Sequence, residues 1–298
     1  MVTAVAVLVV AALVSVSCGG SGPTDSGGSR QESGSPKSTG VAGVADAATR
    51  AVPADCGPTP EPVELTARVI STTSHDPEAF TEGFVMVGDS LYESTGLEGR
   101  SSVRRVDPTT GTVLRTTDLP ADLFGEGLTT VGDERLVQLT WTEGRAIVWD
   151  RGTLTKVGEH RYTGEGWGIT TLDGGDLIMS DGSNRLTIRD PSDFSVLGAW
   201  EVDRKGGPAD QLNELEWDGE HLWANRWKTD EIVRIDLRCH RVDGVLDASR
   251  LRDRAAADAA PGHPIDVLNG IAHVPGTDEM LVTGKFWPTT FRVRIDAA

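Results

Sequence analysis

The feature that most constrains the fold is one pattern of short apolar runs that recurs five times along the chain. Each copy has an acidic or amide residue next to Gly or Glu, an apolar run, a turn rich in Gly and Asp, and a second run. The copies are TEGFVMVGDSLYEST, GEGLTTVGDERLVQLTW, GEGWGITTLDGGDLIMSDG, LNELEWDGEHLWANRW and LNGIAHVPGTDEMLVTGKFW. Short apolar runs separated by Gly and Asp turns are typical of β-hairpins. The sequence therefore predicts an all-β protein.

The spacing of the copies indicates a propeller. A third strand-like run follows every copy and a fourth follows four of them. Successive copies begin 39 to 55 residues apart when they are anchored on Gly83, Gly127, Gly166, Leu215 and Gly270. Four short strands repeated every 40–50 residues or so are the sequence signature of a β-propeller blade. We expect residues 61–298 to form a five-bladed β-propeller, with an irregular β-sandwich as the alternative.

The two ends of this region are expected to meet. The fifth copy stops after its third strand at Ala298, while the run VELTARVIS at 63–71 precedes the first copy. This N-terminal strand can supply the missing outer strand and close the ring, which leaves no open sheet edge. The segment 247–262 has a different composition, and we expect a surface insertion with a little helix there.

The first 60 residues resemble an export signal followed by a linker. An apolar run ends at Cys18, and a Gly/Ser-rich segment follows it. This pattern resembles a bacterial lipoprotein signal at 1–18, lipidation of Cys18 and a flexible tether over 19–60. The protein is then expected to be exported, either anchored to the cell membrane or secreted after ordinary cleavage nearby.

The two remaining cysteines are Cys56 and Cys239. Thiols in an exported protein more often pair than stay free, so we expect them to form a disulfide. That bond would join the start of the domain to a late strand.

The charge balance restricts the partners. The chain has 28 basic and 45 acidic residues, a formal net charge of -17. Nucleic acids and anionic membrane surfaces require a basic footprint, so neither is expected to bind.

The recurring polar residue marks a candidate site. The first strand of each blade of a propeller lines the central channel, and the equivalent positions here are Glu82, Glu126, Glu165, Asn213 and Asn269. Aromatic residues lie near the same ends of the strands, at Phe80, Phe124, Trp141, Trp167, Trp227 and Trp287, whereas Trp149, Trp200 and Trp223 are expected in the core. Carboxyl groups inside an aromatic wall gain a raised pKa and can shuttle protons near neutral pH. The alternative is that these polar residues only hydrogen-bond neighbouring blades and seal the ring.

Specific motifs in these copies resemble a known family. HDPEAFTEGF, YESTGLEGRSSVRRVD, FGEGLT, QLTW, GEGWGIT, LIMSDGS, LNELEW, WANRWKTDEIVRID, VLNGIA and TGKFWP are similar, in this order, to the plant and bacterial type of glutaminyl-peptide cyclotransferase. The resemblance covers about residues 66 to 295. It implies a five-bladed propeller, expected to be monomeric, that converts the N-terminal Gln of peptides or proteins into pyroglutamate and releases ammonia without a metal or other cofactor.

The resemblance also implies roles for individual residues. Glu126, in the FGEG motif, matches the catalytic Glu of the family. The residues that match its aromatic pocket and its polar substrate contacts are Phe80, Phe124, Trp141, Trp167, Trp227, Asn213 and Lys285. Glu82 stands where the plant members have Gln, so two roles stay open for it: it only orients the substrate, or it also carries charge.

Two other functions are compatible with these patterns. A propeller without chemistry could serve as a binding scaffold of the cell envelope, because this fold is reused for many functions. Several channel carboxylates could also suit a glycosidase or a metal-dependent lactonase. The pair His75 and Asp76, in SHDP, is interpreted as part of a turn because no suitably placed Ser or Cys nucleophile accompanies it and Asp-Pro is an ordinary turn.

Overall fold

The computed structural model describes residues 52–298. The expected signal sequence with Cys18 and the expected tether up to residue 51 lie outside the described residues. The described chain begins with a short 3-10 helix at Ala54–Cys56 and the strand β1 at Val63–Ser74. Within residues 52–298 no helix is both long and apolar enough to cross a membrane.

Three separate four-stranded antiparallel sheets follow β1, and each is a simple meander in chain order. The first sheet contains β2 (Thr81–Val87), β3 (Ser90–Thr95), β4 (Ser102–Val106) and β5 (Val113–Asp118). The second contains β6 (Gly125–Val131), β7 (Arg135–Thr140), β8 (Arg145–Asp150) and β9 (Lys156–Arg161). The third contains β10 (Ile169–Thr171), β11 (Leu177–Met179), β12 (Arg185–Arg189) and β13 (Val196–Glu201). All-β class, as predicted, is therefore confirmed.

The rest of the chain contributes to one larger sheet. The strands of this part of the chain are β14 (Asp203–Arg204), β15 (Gly207–Pro208), β16 (Leu212–Trp217), β17 (Leu222–Arg226), β18 (Glu231–Asp236), β19 (Arg241–Asp247), β20 (Leu268–His273), β21 (Glu279–Gly284) and β22 (Thr289–Ala297). The helix α1 (Ser249–Asp258) lies between β19 and β20 in the chain. The main strand order is β16-β17-β18-β19-β1-β22-β21-β20, so β1 joins two antiparallel meanders.

The N-terminal strand completes the last group of strands. β1 is antiparallel to β22 from Leu65, opposite Ala297, to Ser74, opposite Thr289. Its first three residues also pair in parallel with β19. The expected pairing of the N-terminal segment with the end of the chain is confirmed by this register, and it covers the edge that β22 would otherwise expose.

The first strands of the groups surround a common axis in a propeller-like arrangement. β2, β6, β10, β16 and β20 contact one another in chain order, and β20 returns to β2. Glycine permits this close approach: a Cβ atom on Gly127 would lie 2.6 Å from the carbonyl oxygen of Trp167, and one on Gly168 2.1 Å from that of Asn213. The register shifts at the corresponding point of β2, β6, β16 and β20, and such bulges release backbone groups from the ladder.

Hydrophobic cores fill the spaces between neighbouring sheets. Trp149, Trp200 and Trp223 belong to three of these cores, as predicted. Trp287, which the sequence grouped with the aromatic residues near the channel, is also core: it is fully buried and packs against Phe291. Large buried aromatic side chains contribute strongly to stability because each removes much apolar surface from water.

Two local predictions are confirmed. Cys56 and Cys239 form a disulfide with their Cα atoms 5.6 Å apart, and the guanidinium of Arg241 donates a 2.7 Å hydrogen bond to the carbonyl of Cys56. The insertion after β19 contains α1, which buries Leu251 and Ala255 against the core.

Candidate active site

A cavity of about 200 Å³ lies where the first strands begin, at one end of the axis. Its lining residues are Phe80, Glu82, Phe124, Glu126, Trp141, Trp167, Asn213, Trp227 and Lys285. The structure thus brings together the residues that the family resemblance selected from positions up to 205 apart in the chain.

Equivalent positions of the repeated strand groups supply these side chains. Glu82, Glu126 and Asn213 lie at the bulges of the first strands β2, β6 and β16. A second set, Trp141, Trp227 and Lys285, follows the second strands β7, β17 and β21, and Phe80 and Phe124 precede the first strands by one residue. A repeated local fold therefore directs different side chains into one space.

Two carboxyl groups form the polar centre of the cavity. Glu82 and Glu126 are almost completely buried and hydrogen-bond to each other. Lys285 donates a 2.7 Å bond from Nζ to Oε1 of Glu82, and Asn269 donates a 3.1 Å bond from Nδ2 to Oε2. Glu82 therefore has two donors that stabilise its ionised form, one of them cationic.

The environment separates the protonation states of the pair. Burial raises the pKa of Glu126 well above its usual range, and the neighbouring Glu82 raises it further, while Lys285 acts in the opposite direction. Burial also raises the pKa of Glu82, but the ammonium of Lys285 opposes that effect. Two carboxyl groups side by side share one proton, because two negative charges so close together repel each other. Glu126, which has the smaller share of donors, is the member that holds it.

Aromatic rings form the walls in two groups. Phe124 makes edge-to-face contacts with Phe80 and Trp141, at ring-centroid distances of 6.1 and 5.7 Å. Trp167 makes a similar contact with Trp227 at 5.2 Å. The Lys285 ammonium lies 4.3 Å from the ring centroid of Phe80, a cation–π distance. The walls therefore present apolar surface around the carboxyl pair, with one fixed positive charge.

Glu165 does not lie at the position that the comparison of the five repeated copies predicted. Trp167 and Gly168, not Glu165 and Gly166, occupy the place of Glu126 and Gly127 in the third sheet. Glu165 is exposed, and its Oε2 accepts hydrogen bonds from the indole N–H groups of Trp141 at 2.8 Å and Trp167 at 2.9 Å. The two GEG motifs look alike, but the glycine that approaches the next strand is the one after Trp167.

Asn269 lies behind the cavity lining. It is fully buried, and its Nδ2 donates both to Glu82 and, at 3.0 Å, to the backbone carbonyl of Thr81. This residue therefore holds Glu82 in place, in accord with the alternative in which the recurring amides bond neighbouring strands.

Sequence reasoning did not find the residues that support Glu126. The hydroxyl of Ser94 donates to the backbone carbonyl of Glu126, and the fully buried Gln138 donates a 2.6 Å bond to that hydroxyl. Gly96 and Gly182 lie directly behind pocket rings: added Cβ atoms would come within 2.4 Å of Phe124 and 2.6 Å of Trp167. The sequence signal that could have indicated these two glycines is a Gly at or after the end of the second strand in several copies.

Further buried acids lie outside the cavity. Glu214 accepts hydrogen bonds from the backbone N–H groups of Phe84 at 3.2 Å and Ile271 at 2.9 Å, and Glu216 accepts one from His273 at 2.7 Å. The sequence signal for Glu214 was an acid in LNELEW at the position where the other copies have Gly.

The interpretation of SHDP as a turn describes Asp76 but not His75. Asp76 accepts turn hydrogen bonds from the backbone N–H groups of Glu78 and Ala79, through its side chain and its carbonyl respectively. His75, however, is buried and lies 2.9 Å from the carboxylate of Glu93. That charge outweighs desolvation, so the pKa of His75 is raised and the pKa of Glu93 is lowered.

Comparisons with known proteins identify the family of this chain. Residues 41–295 match the family model described as glutamine cyclotransferase. The glutaminyl-peptide cyclotransferase of Arabidopsis thaliana is 39% identical over 232 residues, which are 77% of this chain and 71% of the relative. The crystal structure of Myxococcus xanthus glutaminyl cyclase matches with a TM-score of 0.73 and 38% identity, over 80% of this chain and 100% of that one. The chain belongs to the glutamine cyclotransferase family.

Proposed function

We propose that this protein is a glutaminyl-peptide cyclotransferase, which converts the N-terminal Gln of a peptide or protein into pyroglutamate and releases ammonia. The observation that carries the proposal is the buried Glu82–Glu126 pair inside an aromatic cavity of a glutamine cyclotransferase family member. We also infer that the sheet arrangement is a five-bladed propeller, with β1 as the outer strand of the last blade; the ring of contacting first strands supports this.

The aromatic walls would supply orientation. Cyclisation requires the substrate's α-amine to approach the carboxamide carbon of its own flexible side chain. A cavity of about 200 Å³ walled by Phe124, Trp141 and Trp167 favours compact conformers of that side chain over extended ones. Holding reacting groups in place before the reaction removes a large part of the entropic barrier.

Glu126 would move the proton. The α-nitrogen forms a bond to the carboxamide carbon while the bond from that carbon to the amide nitrogen breaks. Glu126, which is protonated at the start, gives its proton to the departing nitrogen, which leaves as ammonia. As the carboxylate it then accepts the proton that the attacking nitrogen loses, so the enzyme ends unchanged. A carboxyl group with a raised pKa is suited to both transfers near neutral pH.

Lys285 and Asn213 would stabilise the oxygen. Negative charge develops on the carboxamide oxygen when the amine adds, and a fixed cation or an amide N–H lowers the energy of that state. Both residues line the cavity and are almost fully buried, which strengthens their electrostatic effect.

We further propose that the enzyme needs no metal ion and acts as an exported monomer, with Cys18 as lipid attachment site or with secretion as the alternative. The sequence of the first 18 residues supports export. The disulfide between Cys56 and Cys239 is in accord with an oxidising compartment.

The test is incubation with a Gln-initiated dipeptide, following ammonia and the cyclised product with and without EDTA. We expect equal turnover in both conditions. Absence of cyclisation would reject the proposal in favour of a binding scaffold, and activity lost with EDTA would reject the metal-free mechanism. Turnover of a glycoside or lactone in place of the dipeptide would favour the hydrolase alternative.

A further inference from the structure

Two aromatic groups of the cavity meet at one carboxylate outside it. One group runs from Phe80 through Phe124 to Trp141, and the other contains Trp167 and Trp227. The ends of the two groups, Trp141 and Trp167, both donate their indole N–H to the same atom, Oε2 of Glu165.

These two hydrogen bonds, from Trp141 and Trp167 to Glu165, are called the clamp below, and they cross a boundary between sheets. Trp141 follows β7 of the second sheet, whereas Glu165 and Trp167 lie in the loop that leads to β10 of the third. The backbone reinforces it, since the N–H of Gly166 donates a 2.9 Å hydrogen bond to the carbonyl of Trp141. The loop is also anchored at Tyr162, whose hydroxyl donates to the carbonyl of Thr140.

The chemistry of the clamp suits positioning. Trp141 is 40% exposed, so packing alone does not determine the orientation of its ring. A carboxylate accepts hydrogen bonds more strongly than a neutral group, and one oxygen that takes two indole donors fixes the separation of the two rings. Glu165 lies outside the set of residues that line the cavity, so its effect on a substrate passes through the two tryptophans.

We infer that Glu165 is a positioning residue that joins the two aromatic walls and sets the width of the slot for the N-terminal glutamine side chain. This inference rests on the proposed function for its kinetic consequences, but not for its structural ones. Loss of the clamp leaves Glu126 and its partners untouched, so substrate binding should weaken more than the chemical step.

The experiment compares the variants E165A and E165Q with E201A, a matched control that removes an exposed carboxylate from the outer strand β13. Gln keeps an acceptor oxygen, whereas Ala removes it. For a Gln-initiated dipeptide we expect E165A to raise KM about five- to tenfold and to lower kcat less than about threefold, because two exposed charge-assisted bonds are lost. E165Q should stay within about twofold of wild type in both constants, like E201A.

A second measurement is independent of activity. The indole N–H resonances of Trp141 and Trp167, assigned with W141F and W167F, should move most in E165A, less in E165Q, and stay near their wild-type positions in E201A. An E165A variant with wild-type KM, or with unmoved indole resonances, would overturn the inference. If wild type cyclises no peptide while the resonances respond as expected, the proposed function fails and the clamp stands.

Discussion

The carboxyl groups of the cavity and those below it on the axis are equally buried, yet their surroundings differ. Burial raises the pKa of Glu126 and of Glu214 well above the usual range, and the pKa of Glu216 to about 8. Glu126 faces a cavity and a second carboxyl, whereas both oxygens of Glu214 accept backbone N–H bonds. A raised pKa by itself therefore does not mark a reactive group; access to a ligand does.

The position of Glu214 on the axis has a structural explanation. Glu214 occupies the place that Gly83, Gly127, Gly168 and Gly270 occupy in the other first strands. Its side chain reaches β2 and β20 and accepts the N–H of the residue that follows the glycine in each. One long side chain thus connects three of the inner strands where the other glycines leave room.

The largest expected difference between the two regions is in catalysis. E126Q replaces a buried neutral carboxyl by an amide of the same shape, so the fold should persist while the proton transfer is lost. We expect kcat for a Gln-initiated dipeptide to fall by about 10²- to 10⁴-fold, the usual contribution of general acid–base catalysis. Ammonia release measures the loss and thermal unfolding checks the fold. A folded variant with more than a tenth of wild-type kcat would contradict the role of Glu126.

The acids on the axis, Glu214 and Glu216, should contribute to the pH dependence of stability. Glu216 has a folded pKa of about 8 against 4.5 for an unperturbed carboxyl, so between these values the folded state binds the extra proton. The free energy of unfolding should therefore fall as pH rises, by up to about 1.4 kcal/mol per pH unit for each such group. Urea unfolding at pH 5, 6, 7 and 8 measures the slope.

The variant E216Q isolates this contribution. Other buried groups, such as Glu126, titrate in the same direction and remain present in both proteins, so only the difference in slope reports Glu216. We expect E216Q to lose stability less steeply than wild type above pH 5. Parallel slopes would show that Glu216 is not protonated in the folded protein.

A smaller effect is expected from E214Q. An amide can accept one backbone N–H, but its NH₂ group would face the other N–H, which leaves buried donors without partners. Such a loss costs about 1–3 kcal/mol of unfolding free energy. Because Glu214 does not line the cavity, kcat/KM per folded molecule should stay within about threefold of wild type. A large loss of kcat/KM at full folding would give the axial acid a part in the reaction.

The repeat predicted much of the fold because it records local chemistry. Alternating strands, turn residues and the outer strand at 63–71 follow from periodicity and from the need to cover sheet edges. The register within a copy does not, as Glu165 and Trp167 show: GEGWG contains three glycines, and the one that approaches the next sheet is Gly168, against Asn213.

The candidate site was only partly visible for the same reason. The lining residues carry motif signals because each stands at a fixed point of its copy. Gln138 and Glu93 act through partners 44 and 18 residues away, Ser94 and His75, and no sequence pattern records those hydrogen bonds. The long-range polar contacts are a property of the assembled sheets.

The smallest expected effect concerns how the two carboxyls of the cavity share charge. In E82Q the negative neighbour of Glu126 is replaced by a neutral amide, and the Lys285 ammonium no longer has the carboxylate 2.7 Å away to oppose it. Both changes stabilise ionised Glu126, so its pKa should fall.

The measurable consequence is a displacement of the pH profile of kcat/KM. Activity is lost at high pH where Glu126 gives up its proton in the free enzyme, so that limb should move to lower pH in E82Q, with kcat changed less than about tenfold. A limb that does not move, or that moves to higher pH, would mean that Glu82 is not the charged member of the pair. The cavity would then no longer differ in this respect from the acids on the axis, because neither region would contain an ionised carboxylate beside a protonated one.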